Sequence, residues 1–306
     1  MGQLRIPAKL ATTSVAWEGD HARAWLDRLP RLVHEVSEAW ELDVGAPLEP
    51  GGNISWVAPA RRRADATDAI LKVQLPHPES SPEATGLRAW DGGGAVRLLD
   101  HDPARGALLI ERCHPGNALI DEGGTPQAVE AGAAVGALLH RAPIPGGLST
   151  LATRLAAWAD DLDRIIDPDT VPHPALVARG LATMRTRPAA CEHDVLLHGD
   201  LNPTNVLAAE RAAWLAIDPK PMVGDPAYDG ARLVLQPDPF ATPDAAATLR
   251  DRLAIVSSTM EVDRGALIEW CLVDTVEIGS FARVRGDRTM SASCDAQAAL
   301  VASLSS

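Results

Sequence analysis

Residues 195–218, VLLHGDLNPTNVLAAERAAWLAID, constrain this chain more than any other stretch. Apolar runs stand before a polar loop (Val195, Leu196, Leu197) and after it (Val206, Leu207), and a further apolar run ends on Asp218 beyond a polar turn at Glu210 and Arg211. The pattern predicts a strand, a short bent loop and a returning strand pair. Asp200 and Asn205 leave the loop from the same side, and the strand pair returns Asp218 opposite them. Three hard oxygen groups then converge on a hard cation, which keeps waters and takes phosphate oxygens at its other positions. The spacing is that of a phosphoryl-transfer site, where one Asp orients a hydroxyl and accepts its proton while an Asn and a second Asp hold magnesium. An isolated Asp-x-x-x-x-Asn is more often a capped loop, and the apolar flanks with the returning Asp218 set this one apart. His198 reads as a structural hydrogen-bonding histidine, since no separate nucleophile needs an imidazole base.

The rest of the 306-residue sequence narrows the class. A net charge of −13 without a basic stripe argues against a nucleic-acid partner and leaves room for a cationic small molecule. Cys113, Cys191, Cys271 and Cys294 lie far apart, with neither disulfide-framework nor zinc spacing. No apolar run approaches the ~20 residues of a membrane span or has the form of a signal peptide, so the expectation is a soluble, cytoplasmic protein with no membrane partner. Nothing in the pattern sets an oligomeric state. Only Lys9, Lys72 and Lys220 are lysines, against 25 arginines, so a lysine inside a strand-like run calls for a reason.

Along the chain, Asp20 is placed to cap a helix bearing Trp25, Leu29, Leu32, Val33, Val36 and Trp40, which Pro30 should kink or divide. Strands are expected at 41–48, 55–60, 69–75, 96–101 and 107–112. A helix opens at Pro82 after Ser81 and stops at Gly92, Gly93 and Gly94. Helical periodicity follows at 126–141, 150–166 and 174–185, and again after Asp225, Pro243 and Asp263. The expected fold is α+β: a small N-terminal lobe (1–112) with an antiparallel sheet and one main helix, a connector (113–116), and a larger helical lobe (117–306).

HGDLNPTN, from His198 to Asn205, resembles the catalytic motif of the aminoglycoside phosphotransferase branch of the protein-kinase-like fold, with Gly199 where protein kinases usually have Arg and Asn202 where His is expected. WLAIDPKPMVGDPAYD (214–229), GLRAWDGGGAVRLLDHD (86–102) and LLIERCHPG (108–116) are similar to its streptomycin 6-phosphotransferase and hydroxyurea phosphotransferase group. The likeness covers roughly residues 20 to 285, with the blocks in the family's order. It implies a bilobal kinase-like fold, ATP as donor, Asp200 as catalytic base, and Asn205 with Asp218 as Mg²⁺ ligands. Lys72 would steady the α and β phosphates and be held by Glu83; a compact ammonium fits between phosphate oxygens and a carboxylate better than the broader fork of Arg. With Lys72 on the next strand, the turn from Gly51 and Gly52 to Ser55 would offer backbone amides to phosphate. Glu111 to Cys113 resembles the hinge, where backbone groups pair with adenine.

Asp225 and Asp229 read as caps at a helix start, and His140 as a helix C-terminal charge or cap. Lys220 could lie near the phosphates or face water. Glu269, Asp274 and Glu277, the late-helix carboxylates a polycationic acceptor would want, do not form one clean face and read as solvated charges. Three functions stay open: a kinase of streptomycin or a related aminoglycoside, a kinase of hydroxyurea or another small hydroxylated molecule, and a kinase-like protein that binds nucleotide without consuming it.

Overall fold

The computed structural model describes residues 4–77, 82–167 and 171–304, and the chain divides into two compact units between Gly116 and Asn117. The N-terminal unit holds α1 (Ala8–Ala39), β1 (Leu42–Val44), β2 (Ser55–Arg62), β3 (Asp68–Gln74), α2 (Glu83–Trp90), β4 (Leu98–Asp102) and β5 (Ala107–Glu111). Its five strands form one antiparallel sheet in the order β1-β2-β3-β5-β4. Alternating positions on β2 and β3 turn Trp56, Ala58, Leu71 and Val73 inward, where they meet Leu10, Ala22, Trp25, Leu29 and Val33 of α1. The expected break in α1 falls elsewhere. Gly19, at φ 54°, interrupts the helical dihedrals, whereas Pro30 sits inside the helix with helical dihedrals around it. The helix also begins well before Asp20, whose carboxylate pairs with Arg23. The expected Ser81 cap of α2 lies outside the described residues.

The C-terminal unit is mostly helical: α3 (Pro126–Leu139), α4 (Leu151–Ile165), α5 (Pro174–Thr186), α6 (Ala227–Leu235), α7 (Ala245–Met260), α8 (Arg264–Val284) and α9 (Arg288–Ser303). Side-chain caps start several of them where the sequence offers Thr or Asp: Thr125, Thr150, Asp244, Asp263 and Asp287 each accept a backbone N–H two or three residues into their helix. α8 is buried on most sides, with Leu267, Trp270, Leu272 and Val273 at or below 1% exposure. α9, absent from the expected helices, has small residues in place of a clear apolar stripe. It fits because Gly279 of α8 leaves space where a Cβ would lie 2.8 Å from the Cβ of Cys294. Two small hairpin-like ladders carry the loop at 198–205: β6 (Val195–Leu197) pairs with β9 (Met222–Gly224), and β7 (Val206–Ala208) with β8 (Trp214–Ala216). Among the described residues no helix is long and apolar enough to cross a membrane.

Candidate active site

In the N-terminal unit, β3 places Lys72 opposite Val57 on one side and Leu108 on the other, in the middle of the sheet. Its ammonium donates to both oxygens of Glu83, at 2.9 and 2.6 Å, and Gln74 Nε2 donates to Glu83 Oε2 at 2.6 Å. Lys72 is 5% exposed and Glu83 1%. Desolvating two charges is costly, and the pair persists because each is matched and hydrogen-bonded. Gln74 lies two residues along the same face of β3, and the period-2 geometry of the strand is its one signal in the sequence.

The turn before β2 has its own need for glycine. Gly51 adopts φ +84° and an added Cβ would lie 2.8 Å from Pro7 Cβ; at Gly52 one would lie 2.9 Å from the Ser55 carbonyl oxygen. Ser55 opens β2, buried and opposite Gln74. At the other end of the sheet, Glu111 closes β5 and grips Arg97 twice: its N–H donates to the Arg97 carbonyl and its Oε2 accepts from the Arg97 N–H. A contact to adenine from Glu111 therefore cannot use that N–H. Cys113 is half-buried in the segment after β5.

In the C-terminal unit, backbone hydrogen bonds stitch the loop at 198–205 to the strand end at 217–220. Ile217 N–H donates to the Asn205 carbonyl at 2.9 Å, Lys220 N–H donates to the His198 carbonyl at 2.7 Å, and the His198 ring Nε2 meets the Ile217 carbonyl at 3.0 Å. The first of these continues the β7–β8 ladder by one step, setting Ile217 opposite Asn205 with Asp218 next in the chain. Asp218 takes a left-handed φ of 55°, a conformation uncommon outside glycine and frequent at functional sites. Gly199 is required by the same stitching: at φ +77°, a Cβ there would lie 2.1 Å from the Lys220 carbonyl oxygen. That contact explains why a large residue cannot stand between His198 and Asp200.

Asp200 is 8% exposed and ringed by donors. Lys220 Nζ donates to Oδ2 at 2.6 Å, Asn202 Nδ2 to Oδ1 at 3.1 Å, and Arg232 Nη1 also to Oδ1. Burial pushes the Asp200 carboxyl up, but the Lys220 and Arg232 charges outweigh it and hold it below the usual carboxylate range, so it is an anion near neutral pH. Arg232 also donates through Nε to Asp274 at 2.8 Å, forming an alternating chain of Asp200, Arg232 and Asp274. Burial holds the His198 ring below the ordinary histidine range despite Asp229, Asp200 and Asp218, which favours the neutral ring and suits its structural role.

Asn205 spends its amide nitrogen on the Asp200 carbonyl at 3.0 Å, which directs its remaining oxygen to another partner. Asp218 is exposed. Among the described residues no three His, Cys, Asp or Glu side chains converge as a metal cage. One amide oxygen and one carboxylate fit magnesium, which needs few protein ligands and completes its shell with water and phosphate.

Several side chains have roles other than those expected. Asp225 does accept the N–H of Ala227 at 3.0 Å as a cap, and it also binds Trp270 Nε1 at 2.9 Å and Arg187. Asp229 is not a cap. It sits inside α6 and accepts the N–H groups of His198 and Gly199, each at 2.8 Å, while His140 Nε2 lies 3.0 Å from its Oδ2. His140 is thus a support of Asp229 as well as the C-terminal residue of α3. Lys220 ends on Asp200, not in water. Asp274 and Glu277 are largely buried and Glu269 meets Arg187 at 3.6 Å, so these carboxylates are not a solvated face. The pairs with Asp200 and Asp229 span about 20 to 90 positions of sequence and leave no local periodic signal.

With this geometry in place, comparison with solved structures defines the class. A choline kinase from Streptococcus pneumoniae superposes with a TM-score of 0.62 at 15% identity, over 90% of this chain and 99% of that one. A thermostable mutant of aminoglycoside phosphotransferase APH(4)-Ia, in ternary complex with AMP-PNP and hygromycin B, superposes with a TM-score of 0.64 at 18% identity, over 88% and 97%. The fold is that of the protein-kinase-like small-molecule kinases. Streptomycin 6-kinase of Streptomyces griseus is 36% identical over 276 residues, 88% of each chain. Hydroxyurea phosphotransferase of Kitasatospora aureofaciens is 39% identical over 232 residues, 74% of this chain and 66% of that one. Residues 44–286 match the family of aminoglycoside/hydroxyurea antibiotic resistance kinases, and the chain belongs to that family and is a phosphotransferase.

Proposed function

We propose that this chain transfers the γ-phosphoryl group of ATP to a hydroxyl of a small molecule, with streptomycin as the acceptor. The observation that carries the chemistry is Asp200, a nearly buried carboxylate kept anionic by two cations, on a loop whose Asn205 is bonded through its backbone to Ile217, the residue before Asp218. A carboxylate has about four lone-pair positions, so Asp200 can still accept a hydrogen bond from an acceptor hydroxyl. Asp200 orients that hydroxyl and takes its proton as the oxygen attacks phosphorus. Asn205 and Asp218 would hold magnesium, which when bound neutralises charge on the β- and γ-phosphate oxygens. Lys72, fixed by Glu83 and Gln74, contacts the α and β phosphates, and the Gly51 to Ser55 turn offers them backbone amides.

Streptomycin is supported by the 36% identity to a streptomycin 6-kinase over most of both chains and by the −13 charge, which suits a cationic acceptor. Hydroxyurea is a second reading, favoured by the 39% identity to a hydroxyurea phosphotransferase. ADP release from Mg·ATP, with each acceptor offered separately and Asp200→Asn as control, tests both. Release with streptomycin that disappears in the control is expected. Release with hydroxyurea alone moves the chain to the second acceptor, and ATP binding without release on either removes both acceptors.

A further inference from the structure

Lysine is scarce in this chain, yet two of its three lysines end on a buried or nearly buried carboxylate: Lys72 on Glu83 and Lys220 on Asp200. The second pair is not the sole support of Asp200. Arg232 and Asn202 hold its Oδ1, and the loop backbone is fixed by Asp229 and by the Lys220 N–H itself. The Lys220 side chain is 30% exposed, and one of the three N–H donors of its ammonium goes to Asp200 Oδ2.

An acceptor hydroxyl bonded to Asp200 has its oxygen roughly 2.7 Å from the carboxylate, with the phosphorus it attacks directly beyond. The equatorial oxygens of that phosphoryl group then come within reach of an ammonium already 2.6 Å from Asp200. A compact ammonium, with three donors that turn freely about its stem, can touch a carboxylate and a phosphoryl oxygen together.

We propose that Lys220 is a catalytic residue, holding Asp200 in the resting enzyme and donating to an equatorial oxygen of the phosphoryl group in flight. The proposal rests on the role of Asp200 given above. In the transfer the acceptor oxygen bonds to Pγ, the bond from Pγ to the β,γ-bridging oxygen breaks, and its electron pair stays with ADP. The hydroxyl proton passes to Asp200. As that carboxylate is neutralised its hold on Lys220 weakens, and the ammonium shifts its interaction to the phosphoryl oxygens. An interaction stronger in the transition state than in the ground state is one that accelerates the reaction.

Mg·ADP with aluminium fluoride, which mimics the phosphoryl group in flight, tests this without any acceptor. By titration calorimetry, Lys220→Met should bind Mg·ADP within about threefold of wild type and lose about 100-fold in affinity for the aluminium fluoride complex, with kcat falling similarly at constant acceptor KM. Lys220→Arg, which keeps the charge beside Asp200, should lie between the two and replaces Lys220→Met if that variant does not fold. Unchanged analogue affinity in Lys220→Met, whatever the turnover, overturns the proposal and leaves Lys220 as a residue that only positions Asp200. Wild type that binds no Mg·ADP overturns it together with the nucleotide reading. Full turnover in Asp200→Asn beside lost analogue affinity in Lys220→Met removes the role of Asp200 alone and upholds the phosphoryl contact.

Discussion

Two lysine–carboxylate pairs among the described residues are of nearly equal length and opposite character. Lys72 and Glu83 join a central strand to a helix within the N-terminal unit, closed off at 6% and 2% side-chain exposure, with Gln74 donating to the same carboxylate. Lys220 and Asp200 join two loops in the C-terminal unit, at 30% and 10%, and the carboxylate is shared with Arg232 and Asn202. A closed pair is held rigidly, and removing either half strands a buried charge. An open pair costs less desolvation to hold and stays within reach of solvent. The same two residue types therefore stand as a buried pair in one unit and as a partly exposed pair in the other.

The contrast is broken most directly at Asp200. Asp200→Asn should lower acceptor-dependent ADP release about 1,000-fold while nucleotide affinity by calorimetry stays near wild type; preserved turnover would make the open pair structural as well. Next comes Lys72→Met, expected to cost about 3 kcal/mol in urea unfolding and to raise the KM for ATP, because Glu83 is left buried without its cation. A stable variant with altered KM alone would show that the closed pair is as dispensable to the fold as the open one. Asp229→Ala, which strands the N–H groups of His198 and Gly199, should cost about 2 kcal/mol of stability and lower kcat at unchanged acceptor KM. The smallest effect sharpens the baseline: Asp244→Ala removes the cap at the start of α7, about 1 kcal/mol in the same unfolding measurement, with turnover unaffected.

The two pairs were not equally legible. Lys72 and Glu83 lie 11 residues apart on a strand and the helix after it, and a lysine in an apolar run of an arginine-rich chain marks itself. Asp200, Asn205 and Asp218 were visible because one loop and one strand pair contain them all. The sequence leaves Lys220 between phosphate and water, since two residues past Asp218 the direction of a side chain depends on how the loop turns. Asp229 has the neighbours of a helix cap, and Arg232 and His140 carry no site signal in the sequence. Their partners lie 30 to 90 positions away, and nothing in a helical repeat says which loop a polar face will meet.

What the sequence determined by itself is local and periodic: most of the helices and strands, the position of the 198–205 loop between short apolar runs, and the residue types able to hold a phosphate and a cation. Tertiary structure alone decided that α6 supports the loop twice, through Asp229 on its backbone and Arg232 on its carboxylate, and that Gly199 must lack a side chain where the Lys220 carbonyl crosses it. The reason is physical. Hydrogen bonding within a helix or strand is set by neighbours a few residues apart, whereas the charge state and orientation of Asp200 depend on groups brought to it only when the helices of the C-terminal unit pack.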